Sequence, residues 1–199
     1  MKKYFHIFAA MLMMICSYGQ APHTTTYTYN RLPDMISVHA GAGLSKIYGK
    51  NQSSATFLLS WDLGCGLRMP IFLHGFINPS INFSQVGSKY SQGDLYKLDY
   101  IDVSLDGEYD FCEPDFYFET GPRARLNVSA NLKSNGTTTN VKSGFKSFDA
   151  GWDAGVGFRI TPQINIYTLE YIGLTNIFTG GGGTGKNLSL SAGIRINMN

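Results

Sequence analysis

Charge is scarce in this 199-residue chain: Asp, Glu, Lys and Arg make up 15% of it, against about 25% in an average soluble domain. That shortage excludes coiled coils, charged helical bundles and charged disordered segments, which are built from those residues. An excess of one sign is missing too. The formal net charge is +2, and removal of Lys2 and Lys3, argued below, leaves 14 basic residues against 14 acidic. A nucleic-acid partner would need a basic footprint that such a chain lacks. Cysteine is limited to Cys16, Cys65 and Cys112, and the four histidines are scattered, so no cluster has metal-ligand spacing. Neither a metal nor a cofactor is expected. Also absent is a run of about 20 apolar residues, the length that a membrane-spanning helix needs.

What is present begins with an address. Met1, Lys2 and Lys3 precede the apolar run Tyr4 to Ile15, and Ser17-Tyr18-Gly19 supplies small residues before a cut ahead of Gln20. Positive start, short apolar core and small-residue exit make a secretory signal peptide over residues 1–19. Met13-Met14-Ile15 ahead of Cys16 is a poor lipoprotein signal. Residues 20–34 form a short leader and 35–199 a single domain. In an oxidising compartment Cys65 and Cys112 could pair. Their placement, one inside a strand and the other in a turn two strands away, favours two free thiols.

Beyond Asp34 one theme repeats: alternating segments separated by turn residues. Strands are expected near Met35–Gly49, Ala55–Arg68, Gly75–Ser88, Leu95–Phe111, Phe116–Lys133, Val141–Ile160, Ile164–Ile177 and Lys186–Met198. Met69-Pro70, Glu113-Pro114-Asp115 and Thr161-Pro162-Gln163 read as short turns. Polar tips at 50–54, 92–94, 134–140 and 179–186 read as longer loops. Eight strands with short turns at one end and longer loops at the other predict an all-β fold. It is an eight-stranded antiparallel up-and-down transmembrane β-barrel in the bacterial outer membrane, both chain ends on the periplasmic side.

Parity sorts the side chains. Phe57, Leu59, Trp61, Leu63, Cys65 and Leu67 share a face against Ser60, Asp62, Gly64, Gly66 and Arg68. Phe118, Pro122, Ala124, Leu126, Val128 and Ala130 oppose Glu119, Gly121, Arg123, Arg125 and Asn127. Phe148, Ala150, Trp152, Ala154, Val156 and Phe158 oppose Asp149, Gly151, Asp153, Gly155, Gly157 and Arg159. Leu188, Leu190, Ala192, Ile194 and Ile196 oppose Ser189, Ser191, Gly193, Arg195 and Asn197. Ile101, Val103, Leu105 and Tyr109 oppose Asp102, Ser104, Asp106, Glu108 and Asp110. One face is almost uncharged, as lipid contact demands. The other suits a crowded, charge-balanced interior in which Asp62, Arg68, Asp102, Asp106, Glu108, Asp110, Glu119, Arg123, Arg125, Asp149, Asp153, Arg159 and Arg195 form an ion-paired plug. That diameter excludes a general diffusion porin, while a proton path or small polar ligand site stays open.

Two motifs carry no chemistry here. Gly180 to Lys186 meets the phosphate-loop pattern up to its lysine, but Asn187 stands where Ser or Thr would hold Mg²⁺, and a strand follows in place of a helix. Triplets at Asn51, Asn82, Asn127, Asn135 and Asn187 match the glycosylation pattern by chance. Two alternatives to a non-enzymatic membrane barrel remain. One is a lipid A-modifying enzyme, for which His39 is the histidine facing the lumen; the other is a soluble lipocalin-like barrel.

The stretch Tyr100-Ile101-Asp102-Val103-Ser104-Leu105-Asp106-Gly107-Glu108-Tyr109 resembles a strand of the PorT-like outer-membrane β-barrel family. Phe148-Asp149-Ala150-Gly151 through Gly155-Val156-Gly157-Phe158 is similar to its F-D-x-G-x-x-x-G-x-G-F strand, and Glu170-Tyr171-Ile172-Gly173-Leu174-Thr175-Asn176-Ile177 to its R-Y-x-x-G-L-T-N-I segment. Glu170 stands where that family has Arg, Ser104 where it has Pro, and the chain ends Met198-Asn199 without a terminal aromatic. The resemblance implies a non-enzymatic envelope protein, and the member naming the family serves type IX secretion. The expected partners are outer-membrane lipid and lipopolysaccharide, and other outer-membrane or periplasmic subunits of a secretion or envelope-biogenesis assembly. Ala40, Ala42, Ala192 and Ile194, on the first and last strands, mark a small-residue seam where such a subunit would dock.

Overall fold

The computed structural model describes residues 35–198 apart from 51, 73, 91–92, 113–115 and 181–182. The expected signal peptide, leader and Glu113-Pro114-Asp115 turn, and the Cys112 side chain, lie outside the described residues. Eight long strands follow in order. They are β1 (Met35–Tyr48), β2 (Leu58–Phe72), β3 (Gly75–Tyr90), β4 (Leu95–Cys112), β5 (Phe116–Ser134), β6 (Phe148–Arg159), β7 (Ile164–Gly173) and β8 (Lys186–Met198). Each pairs antiparallel with the next, and β8 returns to pair with β1, so the sheet closes. The pairing leads from Ser37 through Gly66, Ser80, Ser104, Arg123, Gly151 and Gly173 to Asn187, and so to Ile47, ten residues further along β1. A closed sheet with such a stagger tilts its strands by about 35–45° and has room inside for side chains only.

The faces are sorted inside out. Leu59 is 70% exposed on the outer wall, whereas Arg125 is 1% exposed inside. A soluble barrel would hide its apolar face; here Leu63, Ile81, Val103, Leu126 and Ile194 stand outside. Aromatic contacts Phe72–Tyr109, Phe111–Phe116 and Phe116–Phe158 band the wall at the short-turn end. Phe57, Trp61, Phe148 and Trp152 lie toward the long-loop end. Cys65 is a free thiol on this outer wall.

Four details depart from the sequence reading. β2 runs through Met69-Pro70 to Phe72, with an irregularity in its pairing to β3 between Pro70 and Phe72. Proline donates no ladder hydrogen bond, so a bulge accommodates it. Cys112 ends β4 rather than lying in a turn. Val141–Ser147 is not strand: it holds a short 3-10 turn, Lys142–Gly144, and β7 likewise stops at Gly173. Finally, β5 continues past the barrel rim, pairing Asn131–Ser134 with Thr137–Asn140 around Asn135 (φ 48°) and Gly136 (φ 81°). Both central residues need positive φ in such a two-residue hairpin, which is why Asn-Gly suits it.

Candidate functional site

All thirteen lumen residues expected from parity face inward, and the staggered strands bring ten of them into two ion-paired groups. Near the short-turn end, Arg68 on β2 donates from Nε (2.9 Å) and Nη2 (2.7 Å) to Glu108 Oε1 on β4. Asn78 Nδ2 donates to the other carboxylate oxygen at 2.9 Å. Arg159 donates to the same Glu108 and, at 2.6 Å, to Asp110. Arg195 bonds Glu119 at 2.8 Å and lies 3.6 Å from Glu108. Deeper in, Arg123 Nε donates to Asp153 at 2.7 Å and its Nη1 lies 3.7 Å from Asp102. Arg125 Nε is 3.6 Å from Asp102, which also accepts from Ser84 at 2.8 Å.

The interior is not charge-balanced as expected. Eight carboxylates face five guanidiniums, and among the described residues Asp62, Asp106 and Asp149 make no ion pair. Hydroxyl and amide donors hold them instead. Asp62 accepts from Tyr167 (3.3 Å) and Asp106 from Ser104 (2.7 Å). Asp149 accepts from Tyr171 (3.1 Å), Thr175 (2.6 Å) and Asn187 (2.8 Å).

Parity reasoning overlooked the tyrosines that separate these charges. Tyr117 and Tyr171 are buried and face inward, and each lies on a glycine of a neighbouring strand. A Cβ on Gly157 would stand 2.0 Å from Tyr117 Cζ, and one on Gly151 would stand 2.5 Å from Tyr171 Cζ. The rings in turn carry guanidiniums: Arg125 lies 3.6 Å over Tyr171 and Arg159 4.9 Å over Tyr117. A cation held over a desolvated aromatic face gains about 2 kcal/mol. The usable signal was positional: Tyr117 lies two residues before Glu119, hence on the same face.

An apolar cap, also unforeseen, closes the long-loop end. Ile47, Val86, Leu98, Tyr100, Ala130, Phe145 and Ile177 pack together there, with Tyr96, Val141 and Phe178 against them. The non-strand segments 141–147 and 174–180 fold across the mouth, tied by Lys146 N to Ile177 O (2.7 Å) and Thr179 N to Gly144 O (3.1 Å). Ala130 belongs to this cap, not to the outer wall. A register shift where Asp99 and Tyr100 pair with Ser129 and Asn127 turns the last part of β5 by one residue. Two lumen voids of about 20 Å³ each lie among the plug residues, both lined by Asp62, Arg123 and serines. Each has room for about one water.

Other expected sites resolve simply. His39 faces inward, its ring 6.1 Å from that of Tyr167. The described part of the segment from Gly180 to Lys186 is loop leading into β8. Among the described residues no group of three or more His, Cys, Asp or Glu could hold a metal ion. Ala40, Ala42, Ala192 and Ile194 all face outward, with Ala42 opposite Ala192 and Ala40 opposite Ile194 across the closure.

A closed, inside-out barrel of this size has known counterparts. A family model described as outer membrane protein beta-barrel domain matches residues 37–179. The chain belongs to that family. It is therefore an outer-membrane barrel protein. The crystal structure of neisserial surface protein A superposes with a TM-score of 0.57 at 17% identity, over 84% of this chain and 100% of that one. Ail of Yersinia pestis gives 0.48 at 15% identity, over 83% and 100%. OprG of Pseudomonas aeruginosa gives 0.46 at 13%, over 85% and 97%. At such identities the likeness carries the fold alone. No curated protein sequence matches the chain.

Proposed function

We propose that this barrel is a non-enzymatic accessory or structural subunit of a larger outer-membrane assembly, with its chain ends in the periplasm and its long loops outside. Cap and plug leave the lumen no room for a substrate or a solute path, so function falls to the outer wall and the rims. Glu170 is the observation that carries the reading. It is exposed on the outer face of β7, opposite Ala154 on β6 and Leu190 on β8. Ile164 and Ile166 lie on one side of it along the strand and Ile172 and Leu174 on the other. A carboxylate at that depth is destabilising against lipid and is accommodated by a protein surface that offers it donors. Next to it lie the small residues Thr168, Ala192 and Ala42, across which another backbone can approach closely.

The occupant we assign to this wall is a second outer-membrane subunit with Arg, Lys or amide donors facing Glu170. Residues 20–34 would add periplasmic contacts. The PorT-like resemblance makes a type IX secretion assembly, or another envelope transport complex, the first candidate. An enzyme acting on lipid A would need its catalytic groups at the wall, whereas His39 points into the plug. Native purification followed by mass spectrometry tests the proposal. The wild type should bring down defined membrane partners, and Ala42→Trp with Ala192→Trp should lose them while the barrel still folds. Recovery of the same partners at wild-type yield would remove this wall as the docking face. Altered lipid A mass on deletion of the protein would favour the enzyme instead.

A further inference from the structure

The basic residues are divided by type. From Arg68 onward every arginine lies in the lumen, whereas every lysine from Lys46 onward lies at the long-loop end, in strand tips or loops. None of these lysines makes an ion pair among the described residues. A hydrated ammonium belongs at a wet surface, which explains its absence from the lumen. Hydration does not explain why one rim has all of them. The opposite rim is as wet, and the sequence between β4 and β5 holds Glu113 and Asp115 but no lysine.

Three of the lysines form a cluster on one side of the barrel. Leu95 on β4 pairs with Lys89 on β3 and Lys133 on β5, and Lys97 is the next outward position along β4. All three lysines are exposed. Strand spacing puts the Lys89 and Lys133 backbones about 10 Å apart, with Lys97 about 7 Å further along from Leu95. On this face Asp99, the next outward position after Lys97, accepts a 2.7 Å hydrogen bond from Gln85. Toward the short turns from that pair the wall becomes apolar at Phe83, Ile101 and Leu126. The ammonium groups therefore point sideways at the depth where apolar wall gives way to polar rim.

We propose that Lys89, Lys97 and Lys133 bind the phosphate groups of an outer-leaflet glycolipid of the lipid A type. A basic cluster turned sideways at headgroup depth meets lipid phosphates, whereas a soluble polyanion would meet residues on top of the loops. This wall centres on β4, three strands from Glu170 on β7 and four from β8, so lipid here and a protein subunit there occupy different sides of the barrel. The physiological role rests on the outward orientation of the long loops proposed above; binding in detergent does not depend on it.

The test is native mass spectrometry of the full folded barrel in detergent with bisphosphorylated lipid A, with the same lipid after phosphate removal, and with a heparin oligosaccharide. The wild type should retain the phosphorylated lipid and release the dephosphorylated one. K89Q/K97Q/K133Q should bind it about a hundredfold more weakly, from roughly fivefold per lysine at a charged membrane surface. K89R/K97R/K133R should retain it. Unboiled gel mobility verifies that each variant is folded. Equal retention by the Gln variant, or no preference for the phosphorylated lipid, overturns the proposal. Lysine-dependent binding of heparin without binding of lipid A overturns it too and assigns the patch to a soluble polyanion.

Discussion

Arg125 shows what a single lumen residue carries. It is buried, stacked on Tyr171 and paired at 3.6 Å with Asp102, while its chain neighbour Leu126 is 51% exposed on the outer wall. Arg125→Ala should destabilise the barrel by about 3–5 kcal/mol, because Asp102 is left buried and short of charge. Leu126→Ala should cost less, since no sealed cavity forms on a lipid face. Urea unfolding in detergent measures both, and equal small effects would mean that the faces are reversed. Gly157 gives a second test. Gly157→Ala pushes a methyl group into the Tyr117 ring and should cost about 1–3 kcal/mol. Adding Tyr117→Ala should recover part of that loss in a double-mutant cycle. The thirteen lumen charges were legible because side-chain direction in a strand has period two. Which carboxylate meets which arginine was not. That depends on the ten-residue stagger, which local sequence does not encode, and it leaves Asp62, Asp106 and Asp149 to hydroxyl and amide donors.

At the scale of elements, the strands themselves were readable, most ends within a few residues, and the exceptions have separate causes. Pro70 looked like a turn but sits in an irregular part of the β2–β3 pairing. Val141–Ser147 carries apolar residues that resemble a strand face, yet Phe145 uses its ring to fill the mouth of the barrel, 5.2 Å from Phe178. The register shift in β5 reverses parity with no residue that announces it. It makes a measurable claim. Spin labels at Ala124 and Leu126 should be accessible to oxygen in the bilayer, and one at Ala130 should not, although all three positions are even. Accessibility at Ala130 matching that at Leu126 would place the strand in unbroken alternation.

For the molecule as a whole, an almost uncharged wall, a tyrosine-layered ionic interior and an apolar cap together make a filled cylinder. The wall was visible in the sequence as alternation. The cap was not, because its members come from four strands and two loops that only closure brings together. Cap and plug are independent barriers, so opening one should leave the other closed. Phe145→Ala with Phe178→Ala removes the rings that hold the two loops over the mouth, but leaves Arg68, Arg123, Arg159 and Arg195 paired below. The most direct measurement is the conductance of the purified barrel in a planar lipid bilayer. The wild type and the Phe145→Ala, Phe178→Ala variant should both insert without stable single-channel openings. A reproducible open level in the wild type would contradict the solid barrel and return the protein to the class of channels.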